Sequence, residues 1–90
     1  MNSLEVVQQV KPVYPPELEQ QGVEGAVEIR AFISRDGVPI NPTVVNTEID
    51  PRLAQAAVGS VLQWRYQPSL LNGQPVETVT TITVEFRIGK

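Results

Sequence analysis

Neither cysteine nor histidine occurs in the 90-residue chain. Without thiols there is no disulfide framework and no thiolate metal site, and the redox compartment leaves no trace in the sequence. Without imidazole the commonest general base and the commonest metal ligand are missing together. No glycine-rich phosphate loop and no nucleophile elbow is present, so catalysis would have to rely on acids, hydroxyls and lysine alone. A non-enzymatic role is therefore expected, with no cofactor and no metal. Basic residues are in deficit as well, 7 Lys and Arg against 10 Asp and Glu, which argues against a nucleic-acid partner or an anionic membrane surface, since both select a basic patch. No apolar run approaches the roughly 20 residues needed to cross a bilayer, and Met1-Asn2-Ser3 lacks the charged-then-apolar opening of a secretory signal.

What is present is one long alternation near the end of the chain. Val76, Thr78, Thr80, Ile82, Val84, Phe86 and Ile88 fall on one side, and Glu77, Val79, Thr81, Thr83, Glu85 and Arg87 on the other, the period of a β-strand with one buried face. At about 3.4 Å per residue such a strand spans roughly 44 Å, whereas a compact chain of this length is roughly 30 Å across. The strand outruns the domain that has to cover it. Its unused N–H and C=O groups suit one kind of partner, another strand.

The rest of the chain supplies the cover. Ninety residues make one small domain with a modest core. Residues 4–13 are β-branched and irregular and are expected to be extended. Residues 1–10 then form an N-terminal segment with room for a short extra strand, and residues 11–90 the domain proper. Pro16 suits a first helical position, and Glu17-Leu18-Glu19-Gln20-Gln21, with Gly22 as exit, makes barely two turns. Val27, Ile29, Ala31 and Ile33 alternate with Glu28, Arg30, Phe32 and Ser34 in the first firm strand, and Asp36-Gly37 predicts a tight hairpin. Pro39 and Pro42 cannot donate ladder hydrogen bonds, which confines the return strand to residues 43–47 at a sheet edge. Asp50-Pro51 starts a second helix. Its stripe of Leu53, Ala56, Ala57, Ser60, Val61 and Trp64 faces the core, Gly59 is exposed, and the end is expected near Tyr66 or Gln67, before Pro68. Asn72-Gly73 then turns the chain into the long strand.

These elements predict an α+β fold: a small three-stranded antiparallel sheet of order 2-1-3, with two helices packed on one face. Trp64, Val61, Leu53, Ile29 and Phe86 are the expected core. The long strand is an outer strand whose far side has no partner among the others. Glu77 and Glu85, eight residues apart, are too distant for a catalytic carboxylate pair and suit solvated strand charges that discourage aggregation.

Several short motifs stand in a recognisable order: Lys11-Pro12-Val13-Tyr14-Pro15, Glu24-Gly25, Asp36-Gly37, Trp64-Arg65-Tyr66-Gln67-Pro68, Asn72-Gly73-Gln74-Pro75-Val76 and Phe86-Arg87-Ile88. Over about residues 10–88 the chain resembles the TonB C-terminal domain. The resemblance implies a periplasmic domain at the end of an inner-membrane protein with an N-terminal membrane helix and a proline-rich spacer. Neither is among these residues, so Met1 is expected to open an excised piece. The resemblance also implies a grip on the TonB box of a TonB-dependent outer-membrane transporter, which adds as a strand beside the last strand and so receives inner-membrane energy. Inner-membrane motor proteins would contact the membrane helix, outside this chain. Carried over by position, the grip falls on Val79, Thr80, Thr81, Ile82, Thr83 and Val84, and the receptor-facing stretch on Gln9, Lys11 and Val13, with Tyr14 beside it. Family members often carry glutamine where this chain has Lys11 and Val13, a departure that bears on the partner's identity and not on the binding mode. An alternative competes for the same edge: a structural or oligomerisation domain in which a second copy, as a homodimer, or the chain's own N-terminal segment covers it.

Overall fold

The structure is a computed structural model and describes residues 5–46 and 48–88. The elements run β1 (Glu5–Gln8), α1 (Pro16–Gln20), β2 (Gly25–Ile33), β3 (Pro39–Val44), α2 (Pro51–Val61), β4 (Arg65–Gln67), β5 (Ser69–Leu71), β6 (Gln74–Val76) and β7 (Thr78–Phe86). The alternation that starts at Gly25 makes β2 the middle of the main sheet, antiparallel to β3 on one side and to β7 on the other. Its apolar residues Val27, Ile29, Ala31 and Ile33 are fully buried. Leu18 from α1, Leu53, Ala57 and Val61 from α2, and Ile82, Val84 and Phe86 from β7 join them in a single core, together with Trp64 and Tyr66. Both helices thus lie on one face of the sheet. On the other face Glu28, Arg30, Phe32, Val79, Thr81, Thr83 and Glu85 are exposed.

The α+β class, the antiparallel pairing and the two helices are as expected, but the single three-stranded sheet of order 2-1-3 is corrected. The described residues form seven strands in three antiparallel groups, β3-β2-β7, β1-β4 and β5-β6. β1 lies in the N-terminal segment expected to have room for a short strand, and the other extra strands come from segments with other assignments. Residues 65–67, expected to end the second helix, form β4, because α2 stops at Val61 with Leu62 as its C-terminal cap. Arg65 closes that end: its guanidinium donates to the carbonyls of Leu62 (3.2 Å) and Trp64 (2.6 Å), the role a basic side chain plays at a helix C-terminus. Trp64 therefore stands just after the helix and not on it, although it is still buried. The long strand is broken at Glu77. Asn72 and Gly73, both with positive φ (53° and 78°), close a tight β5-β6 hairpin of the type that needs two left-handed residues. Strand partners then change from β5 to β2.

One further boundary differs from expectation. The return strand begins at Pro39, not at residue 43, because neither proline meets a ladder bond it would break. Pro39 is the first strand residue and Pro42 falls in a β-bulge opposite Ala31, beside Asn41 at φ 50°. The hairpin before it is a three-residue loop in which only Gly37 is left-handed (φ +84°), and Ser34 Oγ accepts from the N–H groups of Asp36 and Val38, both at 3.2 Å. The expectations that touch Met1, Leu4, Thr47 and Lys90 fall outside the described residues. The molecule measures 50 × 25 × 18 Å, elongated well beyond the roughly 30 Å of a compact chain.

The turn at Gly37 is also a docking point. Its carbonyl accepts from the Tyr66 N–H at 2.9 Å, and a Cβ at Gly37 would stand 2.0 Å from the Tyr66 carbonyl oxygen. Replacing Gly37 by alanine is expected to cost about 2–4 kcal/mol, combining left-handed strain with a backbone clash. Gly59, exposed in the middle of α2 with nothing within 4 Å of a new Cβ, should instead gain about 1 kcal/mol as alanine. Urea unfolding of the two variants checks both signs.

Candidate functional site

Hydrogen bonds on the β3 side of β2 reveal which backbone groups of β7 are free. The Glu28 carbonyl accepts from Val45 N–H at 2.8 Å, the Glu28 N–H donates to Asn46 Oδ1 at 2.9 Å, and Asn46 Nδ2 donates to the Ala26 carbonyl at 2.8 Å. Even-numbered residues of β2 therefore turn their backbone groups toward β3, and odd-numbered ones toward β7. In the β2-β7 register Val27 faces Val84, Ile29 faces Ile82, Ala31 faces Thr80 and Ile33 faces Thr78. These pairs exchange the ladder bonds. Beyond them Phe86 faces Gly25, and Ile88, the even residue after it, has its N–H taken by Glu24 Oε2 at 2.8 Å. Val79, Thr81, Thr83 and Glu85 consequently point their N–H and C=O groups away from β2. Among the described residues β7 has no second strand neighbour.

Part of this edge lines a groove. Across a cavity of about 390 Å³, Thr83, Val84, Glu85, Phe86 and Arg87 face Gln9, Val10, Lys11, Pro12, Tyr14 and Trp64. Residues 9–14 form the opposite wall and are held by two anchors. The first is the Val10 carbonyl, which accepts from Ser60 Oγ (2.7 Å) and Trp64 Nε1 (3.0 Å). The second is Tyr14, whose ring meets Phe86 edge-on at 5.3 Å between centroids and 72° between planes, and whose hydroxyl donates to the Val23 carbonyl. Burial, reinforced by the nearby Glu24 and Glu19, raises the Tyr14 phenol above its ordinary pKa, so it stays a donor. At the groove mouth Glu85 and Arg87 form an exposed ion pair of 3.6 Å, the kind that adds little stability but leaves both charges available.

Of the residues expected to bind a partner, Gln9, Lys11, Tyr14, Thr83 and Val84 come together around the groove. Val79 and Thr81 lie on the same outer edge beyond it. Thr80, Ile82 and Val84 direct their backbone groups into the β2 ladder, so within the expected stretch only Val79, Thr81 and Thr83 turn theirs outward. Val13 is 78% exposed and lies over α2, beside Ala56, instead of in the groove. Tyr14 packs its ring on Phe86 of β7. Sequence reasoning did not assign Ser60, Phe86, Glu85 and Arg87 to this site. A serine on an otherwise apolar helical stripe, four residues before a tryptophan, was the available sign that a carbonyl from elsewhere needed donors. Among the described residues no cluster of three or more acidic, histidine or cysteine side chains is arranged to hold a metal.

Comparison with known proteins places this geometry. The family model for the Gram-negative bacterial TonB protein C-terminal matches residues 10–88. The chain belongs to the TonB C-terminal family. It is 29% identical over 80 residues to Protein TonB of Vibrio cholerae serotype O1, covering 89% of this chain and 33% of that protein. With Protein TonB of Xanthomonas campestris pv. campestris it shares 27% over 77 residues, covering 86% and 34%. The chain thus spans about a third of the length of the curated TonB relatives it matches. Among solved structures, the C-terminal domain of Pseudomonas aeruginosa TonB superposes with a TM-score of 0.82 at 23% identity, over 100% of this chain and 91% of the other. The TonB2 protein of Vibrio anguillarum gives 0.65 at 30% identity, over 100% and 92%.

Two measurements test the groove wall. Ser60→Ala removes one of the two donors to the Val10 carbonyl and should cost about 1–2 kcal/mol, with amide exchange in residues 9–14 accelerating ahead of the core. The phenols give a pH signature. Tyr14 and Tyr66 are both raised, chiefly by burial, so the unfolded chain loses its phenol protons first and stability should fall as pH rises above about 10. Denaturant midpoints measured across that range should decline, and less steeply in Tyr14→Phe.

Proposed function

We propose that this chain is the peptide-gripping end of a TonB-type energy transducer, a periplasmic domain whose parent protein is anchored in the inner membrane. It holds the TonB box of an outer-membrane transporter as an extra strand on the outer edge of β7. The motor proteins that energise it act on a membrane helix outside this chain. The reading is carried by one observation: among the described residues the outward backbone groups of Val79, Thr81, Thr83 and Glu85 have no strand partner, and Thr83 and Glu85 line the groove walled by residues 9–14. Main-chain bonds make such a grip tolerant of sequence, and the groove supplies selectivity. At a net gain of about 1 kcal/mol per bond, offset by ordering the peptide, affinity should be moderate. Tension along the added strand loads its bonds together and not one at a time, so a grip of this kind resists pulling better than its equilibrium affinity suggests. This is a binding role and not a catalytic one.

Self-association through the same edge is a second reading that the register favours. If β7 pairs antiparallel with its copy about Ile82, Thr81 stands opposite Thr83 and Val79 opposite Glu85, with no like charges facing. The two readings separate in amide exchange. With synthetic peptides spanning the N-terminal segments of TonB-dependent transporters, the amides of Val79, Thr81 and Thr83 should slow at least tenfold, while those of Thr80, Ile82 and Val84, already bonded to β2, should barely change. Protection of the odd residues that grows with protein concentration in the absence of peptide would instead identify self-pairing. Odd amides that stay fast in saturating peptide would sink strand addition.

A further inference from the structure

The open face of the main sheet carries an ordered set of side chains that the β7 edge brings within reach of an added strand. Phe32 pairs with Ile40 on β3 and with Val79 on β7, and Phe32 and Val79 remain 42% and 55% exposed. This is an apolar row running across all three strands and ending at the free edge. One row further along, Arg30 pairs with Thr43 and Thr81, and its guanidinium makes no ion pair or hydrogen bond with another described residue. The next row holds Glu28 opposite Thr83.

Side chains and backbone groups alternate together along a strand. The residues of β7 whose backbone is free are therefore the ones whose side chains stand on this open face. We infer that the open face selects the added strand, favouring an apolar residue across from Val79 and an acidic residue two positions along, across from Thr81. The inference rests on the strand-addition reading and gives its partner a chemistry. An apolar side chain beside Val79 extends the Ile40-Phe32-Val79 row to a fourth strand and removes its exposed end from water. The carboxylate lies two strand spacings from Arg30, roughly 10 Å at about 4.8 Å per strand, a gap that an extended guanidinium reaching over the small Thr81 can close. Glu28 disfavours a second acid in the following row. Read alongside β7 from Val79 to Thr83, the selected segment is thus apolar, any, acidic, any, non-acidic, in that chain order for a parallel partner and in the reverse order for an antiparallel one.

The test uses a transporter-segment peptide as host, with its residue across from Val79 identified by amide contacts in the complex. Guests of valine and aspartate at that position should differ about fivefold in affinity, and guests of glutamate and lysine two positions on by a similar factor. Phe32→Thr combined with Val79→Thr should erase the first preference and keep the second, and Arg30→Gln should do the reverse. These side chains are exposed, so the variants should fold, which thermal melting verifies. If both preferences persist unchanged in the variants while the odd-numbered amides are still protected, this inference is overturned and strand addition stands. If no peptide protects those amides, both fall together.

Discussion

In a β-strand the direction of the side chain and the direction of the backbone hydrogen bonds alternate with the same period, and everything at the β7 edge depends on that coupling. Ile82, Val84 and Phe86 are buried under the helices, and the same parity aims their peptide groups at β2. Val79, Thr81, Thr83 and Glu85 then have both exposed side chains and free peptide groups. A slip of one residue would expose the core and reverse the edge at once, so the hydrophobic pattern that folds the domain also defines which residues a partner can meet. The opposite side of the sheet is closed by different means. Asn46 uses its side-chain amide to satisfy Glu28 N–H and the Ala26 carbonyl, and β3 carries Pro39, Pro42 and a bulge at Asn41, features that make an outer strand a poor template. Within the main sheet one edge is blunted and the other left regular.

A free edge alone would accept any strand. What distinguishes this one is the wall of residues 9–14, and that wall is a tertiary product. Its position depends on a carbonyl at Val10 meeting donors from Ser60 and Trp64, 50 and 54 residues away. The donors are themselves linked, Trp64 Nε1 lying 3.2 Å from Ser60 Oγ, so the indole both fills the core and helps hold the Val10 carbonyl. Tyr14 repeats the logic at the far end, with its ring on Phe86 and its hydroxyl on the Val23 carbonyl. The conspicuous aromatic residues are thus framework and groove lining together. Lys11 contributes its exposed stem and charge to the lining without carrying the wall.

The alternations around Ile29 and Ile82, the capped start at Asp50 and the turns at Asp36-Gly37 and Asn72-Gly73 were legible because each is a local property of contiguous residues. Asp50 indeed accepts from the Arg52 N–H at 2.8 Å. The end of α2 was not legible. Trp64 follows Ser60 by one helical turn, and only the pairing of Val6 with Tyr66, between segments distant in sequence, explains why the chain leaves the helix at Leu62. The site was half legible for a similar reason. Period two is visible in the sequence, but which half of the residues faces outward depends on which side β2 occupies, and that is a matter of topology. Thr80 and Ile82 were therefore named together with Val79 and Thr81, although only the odd-numbered residues direct their backbone groups away from β2, and nothing local marks that Val13 lies over α2 while Gln9 and Lys11 line the groove.

The burial of β7 changes along its length: Thr78 and Thr80 are only half-buried where Ile82, Val84 and Phe86 are buried. The strand therefore leaves the shelter of the helices toward the β5-β6 hairpin, and the edge has two unlike halves. At Thr83 and Glu85 it is backed by the core and faces the groove, so a bound strand there would be held on a rigid surface with little room to adjust. At Val79 and Thr81 the sheet is thin and open, and discrimination must come from the side chains on its exposed face. An edge that long and uniformly apolar would invite aggregation. Here the outward residues after Val79 are two threonines and a glutamate with Arg87 beyond, polar side chains that suit an edge open to solvent. The one apolar residue in the row sits where Phe32 can make it a recognition point instead of a liability.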